Sequence, residues 1–250
     1  MLSEKPWKLD AALLLLGGLL CSLFFGMAGG LLLLKLVPKL TADDRQFYGF
    51  IISGVSFQGV ALWLTHQFLR THEMTWRDFL GLNSPALRRV VGLALGVGVF
   101  ALPLALGLNK LSELLIQALH MTAVEQPSMR ILEVSVGPAR RACFAVAAIV
   151  LAPVVEEILF RGLLYPLIKQ RGHPRAALWV SALLFAAIHA NLMTFVPLTF
   201  FALALTWLYE KTDALIAPIV THSFFNAVNF LLFIYHQELR DWLEHLQPPT

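Results

Sequence analysis

Charged and polar residues in this chain are gathered into short connections, and between them run apolar stretches. The stretches cover 11–36, 47–69, 90–108 with a continuation to 119, 142–168, 176–190, 192–209 and 214–235. A helix rising about 1.5 Å per residue needs about 20 residues to cross about 30 Å of hydrocarbon. The pattern therefore predicts six or seven spans and an all-α, polytopic transmembrane helical bundle of about seven or eight helices. Segment 75–82 is too short and too charged to span, and its apolar residues predict an interfacial element at headgroup level. Segment 121–141, with two prolines and several charges, reads as the longest polar connection. No internal repeat or low-complexity tract divides the chain, so 1–250 reads as a single membrane domain.

Composition strengthens this picture. Of 250 residues, 58% are hydrophobic and only 14% charged, where a soluble domain carries about 25% charged residues; the mean hydropathy is +0.70. The net charge of +3 is modest, and the basic residues sit at the edges of apolar stretches, where they can meet phospholipid headgroups. Membrane lipids are the expected partners, and no basic patch suggests nucleic acid. Cys21 and Cys143 lie inside apolar stretches and read as small core residues rather than a disulfide or metal ligands. The run 11–34 is far longer than the ~7–15 residues of a signal-peptide core, so it is expected to remain as the first span. Gly18-Leu19-Leu20-Cys21 is a poor lipidation site because Leu20 is bulky.

The fourth stretch places Glu156, Glu157 and Arg161 deep in a span, where each charge costs at least ~2.5–3.5 kcal/mol and so demands a partner or a function. Glu157 and Arg161, four residues apart, share a helical face with the acid on the amino-terminal side, the better orientation for an ion pair. Glu156, about 100° round the helix, is left without an obvious cation. A packing triad would account for the charges, but adjacent carboxylates with divided duties suit general base catalysis. His189 ends the fifth stretch. In the seventh, His222 and Asn226 again share a face, and Asn229 lies three residues further on. An acid pair, a histidine and a His/Asn pair on three spans supply the parts for activating water and holding an oxyanion. His66, His72 and His120 flank spans and read as headgroup-level residues, His236 and His245 as part of a polar tail, and Gln58 as an interhelical hydrogen bond.

Three motifs in order, Glu-Glu-x-x-x-Arg at Glu156, Glu157 and Arg161, Phe-x-x-x-His at Phe185 and His189, and His-x-x-x-Asn at His222 and Asn226, resemble those of the type II CAAX prenyl endopeptidases, the CPBP or Abi family of intramembrane proteases. The likeness centres on 141–235, the expected catalytic core; segment 79–82 also resembles a family feature. The resemblance implies peptide-bond hydrolysis within the membrane, with Glu156 activating water and His189 as its partner. It implies that Glu157 and Arg161 orient the site and that His222 and Asn226 bind the oxyanion. Family members have been described both as metalloproteases and as metal-independent glutamate proteases. No His-Glu-x-x-His zinc helix is present, although Glu156, His189 and His222 could supply three ligands to a divalent metal such as zinc. Arg161 nearby and a direct route to water activation favour no cofactor.

The expected substrate is a membrane-associated peptide or lipidated protein, and the expected location an integral, multi-pass one in the bacterial inner (cell) membrane. Intramembrane Glu, His and Arg also build proton relays, so a proton-coupled transporter is the rival reading. Its usual repeated halves and Gly/Pro-broken spans at matching positions are missing from the sequence. A catalytically silent peptide-binding scaffold is the third reading.

Overall fold

The computed structural model describes residues 2–37, 39–121 and 126–245, with side chains to His236; the side chain of His245 lies outside the described residues. Nine helices are found among them, with no strand: α1 Leu9–Lys35, α2 Ala42–Thr71, α3 Trp76–Leu80, α4 Leu87–Ala118, α5 Pro127–Val134, α6 Pro138–Lys169, α7 Pro174–Ile188, α8 Leu192–Thr212 and α9 Ile216–His245. Six of these, α1, α2, α4, α6, α8 and α9, are long and apolar enough to cross a membrane. The chain is thus an integral, multi-pass helical bundle. α7 has 15 residues, about 22 Å of helix, and falls short of the full span expected over 176–190. The connection expected over 121–141 contains a helix of its own, α5, opened by Pro127, whose fixed φ suits a first helical position.

Why α1 and α2 pair closely is visible in their small residues. Gly26 and Gly30, one turn apart, lie against Ser56 and Ser53, and a Cβ on Gly30 would stand 3.1 Å from Ser53 Oγ. Small side chains let helices approach where lipid offers no hydrophobic drive for association. α2 starts at a reciprocal cap in which Asp44 N–H donates to Thr41 Oγ1 at 3.1 Å, and Arg45 Nη1 donates to the Leu34 carbonyl near the end of α1 at 2.6 Å.

The expected interfacial segment is α3, capped by Thr75, whose hydroxyl accepts from Asp78 N–H at 3.2 Å. Gly81 ends it at φ 74°, and a Cβ there would lie 2.6 Å from Ala214 Cα. Both the positive φ and the close approach require glycine. Phe79, buried under α3, meets Gly162 of α6, where an added Cβ would lie 2.8 Å from the Phe79 ring.

α6 packs against α2, α7 and α9, and α8 packs against α4, α7 and α9. The core is therefore built around the carboxy-terminal half, while Leu14, Phe25 and Phe100 face outward, as lipid-facing side chains should. Cys21 and Cys143 are free, but both are exposed rather than in the core. Gln58 is buried with Oε1 lacking a partner among the described residues, so the expected interhelical bond is not made through that oxygen.

Candidate active site

α6 carries the acid pair, and its backbone departs from α-geometry on both sides of it. Val146–Leu151 and Ile158–Leu164 are π-helical, flanking an α-helical Ala152–Glu157. Each π segment precedes a proline, Pro153 or Pro166, which has no N–H and whose ring clashes with the carbonyl four residues back. In the first, Ala152 N–H bonds the Ala147 carbonyl, so in the same register the Ala148 carbonyl would fall to Pro153, which has no proton to give. Asn226 supplies it: Nδ2 donates to Ala148 O at 2.8 Å. In the second, the carbonyl four residues before Pro166 is that of Gly162, and Trp7 Nε1 donates to it at 2.9 Å. π segments of this kind recur at functional sites.

Between these two repairs lies a buried polar cluster. Glu157 Oε1 accepts from Arg161 Nη1 at 2.9 Å, and both side chains are fully buried. The same oxygen lies 2.9 Å from His222 Nδ1. Arg161 also donates Nη2 to the Ala202 carbonyl at 2.8 Å and Nε to Thr206 Oγ1 at 3.4 Å, and its guanidinium lies 4.7 Å from the centre of the Phe185 ring. The cation thus has an anion, a carbonyl, a hydroxyl and an aromatic face, the set of partners a charge removed from water needs.

His222 bridges the two acids. With Nδ1 on Glu157, Nε2 stands 3.9 Å from Glu156 Oε2. The rings of Phe185 and Phe201 meet the imidazole edge to face, at 5.6 and 5.5 Å, and only 5% of its side chain is exposed. Glu156 is more open, 23% exposed, and its Oε2 has no hydrogen-bond partner among the described residues. Thr221, beside His222, ties α9 to α4 by donating to the Ala94 carbonyl at 2.7 Å.

His189 enters differently. α7 stops at Ile188, Ala190 takes a positive φ of 48°, and His189 Nδ1 lies 2.7 Å from the Phe185 carbonyl in the last turn. The half-buried imidazole packs on the Phe185 ring at 5.0 Å, the ring that also touches His222. Among the described residues no hydrogen bond or ion pair joins it to Glu156. Glu156, Glu157, Arg161 and His222 are therefore assembled by polar contacts, and His189 is joined to them through Phe185. Asn226 is committed by one amide proton to Ala148, and Asn229 turns back onto its own helix at the Phe225 carbonyl.

Thr206, Phe201 and Trp7 were not singled out by sequence pattern. A threonine in an otherwise apolar span is a faint signal for Thr206; nothing local marks the other two. Glu156, His189 and His222 do not form a metal site as placed, since among the described residues no three His, Cys, Asp or Glu side chains are grouped to hold a metal ion.

Comparisons with known proteins fall on the same region. Residues 138–228 match the family described as type II CAAX prenyl endopeptidase Rce1-like. The UPF0177 protein YaiF of Lactococcus lactis subsp. lactis (strain IL1403) is 31% identical over 94 residues, 36% of this chain and 39% of that protein. YdiL of Bacillus subtilis (strain 168), named as a candidate membrane peptidase, is 25% identical over 95 residues, 38% of each chain. The chain thus spans about two fifths of the length of the curated relatives it matches. No solved structure matches it. The matched segment begins at the first residue of α6 and ends in α9 beyond Asn226, so it contains all three motifs, and over that segment the chain is similar to the type II CAAX prenyl endopeptidase Rce1-like family.

Proposed function

We propose that the chain is an intramembrane endopeptidase of the bacterial inner membrane, acting on a membrane-associated or lipidated peptide through a metal-independent, glutamate-based site within 141–235. The observation that carries this reading is the division of labour between adjacent acids. Glu157 is fully buried, with Oε1 shared by Arg161 and His222, whereas Glu156 is 23% exposed and stands with Oε2 3.9 Å from His222 Nε2, outside hydrogen-bond reach. A fully buried carboxylate held by two partners is poorly placed to take a proton from water; a partly exposed one is suited to it.

In this scheme Glu156 takes a proton from a water as the water oxygen attacks the scissile carbonyl carbon. His189 assists from the end of α7. The carbonyl oxygen gains charge as the tetrahedral species forms, and its expected donors are His222 Nε2–H and the second amide proton of Asn226. In the form with protons on both nitrogens, His222 has Nδ1–H on Glu157 and a donor at Nε2. The charges of Glu156, Glu157, Arg161 and His222 then sum to zero, the cheapest condition for a cluster in hydrocarbon. Collapse breaks the C–N bond, and the proton held by Glu156 goes to the leaving amine.

The test is turnover of an apolar peptide by purified protein in detergent. Glu156→Gln and His189→Ala are expected to abolish cleavage while leaving the fold intact; wild-type rates from either variant would remove the assigned base or its partner. Prolonged exposure to a strong chelator is expected to leave turnover unchanged. Loss of activity that returns on adding zinc would overturn the metal-independent scheme.

A further inference from the structure

Residues 2–8 form an extended strap lying over the bundle end where α2, α6 and α8 finish. Lys5 Nζ donates to Asp213 Oδ1 at 2.8 Å, Leu2 N–H reaches Glu210 Oε2 at 3.4 Å, and Lys8 N–H donates to His72 Nε2 at 3.2 Å. Ser3, Glu4, Pro6 and Lys8 stay exposed, while Trp7 is buried to 8% exposure. Its ring packs against Phe68 at 5.1 Å and Phe79 at 5.9 Å. Its single donor goes 155 residues along the chain to the Gly162 carbonyl.

Gly162 immediately follows Arg161, inside the π segment whose normal hydrogen bonding Pro166 interrupts. The same backbone sequence can run in π or α register. Exchanging one for the other turns each following side chain by a large fraction of the ~100° that separates neighbours in an α-helix. The π register holds Arg161 on Glu157, the Ala202 carbonyl and Thr206 at once. Past it, where α geometry resumes at Tyr165, Pro166 has no N–H for the Gly162 carbonyl four residues back, and the cost of an unmet bond would fall on a buried acceptor. We infer that Trp7 is a positioning residue for the hydrolytic site: by donating to the Gly162 carbonyl that Pro166 leaves bare, it pins the end of the turn that carries Arg161 and so keeps Arg161 on Glu157, and through Glu157 it sets His222.

This inference rests on the peptidase reading for its catalytic consequence, but not for its structural one. In Trp7→Phe the ring packing is kept and the proton removed. Two quantities are then measured: amide hydrogen exchange across 158–166, which needs no substrate, and kcat and KM per folded molecule on an apolar peptide. Exchange in 158–166 is expected to speed up about tenfold, the size of effect one unsatisfied buried carbonyl produces, with exchange in α1 and α4 unchanged. kcat is expected to fall about tenfold with KM within about twofold. Adding Pro166→Ala to Trp7→Phe returns a backbone N–H four residues from Gly162 and is expected to recover both values.

Unchanged exchange in Trp7→Phe, or loosening of 158–166 with wild-type kcat, would overturn the inference. If Trp7→Phe does not fold, recovery of folding and exchange by Pro166→Ala supports the hydrogen bond as the agent, and failure to recover overturns it in favour of ring packing alone. A wild-type protein that cleaves no peptide would sink the peptidase reading, while the exchange measurement would still decide whether Trp7 holds the turn.

Discussion

At the scale of single residues, the site depends on carbonyls that prolines leave bare. Asn226 is expected to serve two purposes, since one amide proton is already given to Ala148 O and the other is free to meet an oxyanion. These purposes can be separated. Asn226→Ala should cost about 1–3 kcal/mol of stability through the stranded carbonyl, and about 10²–10³ in kcat if the amide also binds the oxyanion. Pro153→Ala in the same chain restores a backbone N–H near Ala148. It should return the melting temperature to near wild type while leaving kcat low. Recovery of kcat along with stability would show that Asn226 acts only on the helix. The sequence exposed this residue through its spacing from His222, but not its bond to Ala148, because a side-chain donor 78 residues from its acceptor leaves no local trace.

Elements were more legible than their joints. Runs of apolar residues identified all six long spans, because a bilayer imposes a minimum helix length, and segment 75–82 was recognisable as too short and too charged to span, as the five-residue α3 is. The polar side chains that meet at Glu157 were visible because charge in hydrocarbon is conspicuous. The π segments of α6 were not: Pro153 and Pro166 can be read in the sequence, but whether the helix kinks, breaks or widens depends on which distant group takes the freed carbonyl. The strap was equally hidden, since 2–8 has no periodicity and is held by contacts to α2 and to the turn after α8. Its anchor at Asp213 has a defined pH response. Burial pushes the Asp213 carboxyl up, but hydrogen bonds from Lys5 and Ser3 outweigh it and hold the group below the usual aspartate range. A carboxylate lowered on folding stabilises the folded contact above its unfolded value of about 3.9 and loses that contribution as pH falls through the lowered one. In a variant keeping Trp7 as its only tryptophan, acrylamide quenching should therefore stay low and flat from about pH 8 to 5 and rise only below about pH 4. Asp213→Asn should quench more at every pH. A rise between pH 8 and 5 in the unsubstituted strap would show that another group controls it.

For the molecule as a whole, the proposed activity raises the question of how an apolar substrate would reach a polar site without passing through water. α4 and α8 enclose a groove of about 460 Å³ lined by side chains such as Phe100, Leu104, Phe200 and Trp207. Phe100 and Trp207 are exposed, so in a bilayer the groove is open to lipid. Its inner wall includes Phe201, whose ring stands edge-on to His222 at 5.5 Å and stacks on Phe225 at 4.3 Å. One aromatic side chain therefore borders both the lipid-facing groove and the buried imidazole, and its size sets how closely an apolar group in the groove can approach the reacting centre. Phe201→Leu keeps an apolar wall but shortens it, which removes ring contacts with His222 and widens the approach. If apolar substrates enter here, peptides with bulkier apolar groups should gain in kcat/KM relative to small ones, with the change carried mostly by KM. Glu157, Arg161 and His222 keep their mutual hydrogen bonds in this variant, so kcat on a small peptide should fall by less than about tenfold, the loss expected from ring contacts alone. A variant that loses all substrates equally would place the entry elsewhere and leave Phe201 as packing for His222, whereas a shift in size preference would mark the α4–α8 groove as the route from the bilayer to Glu156.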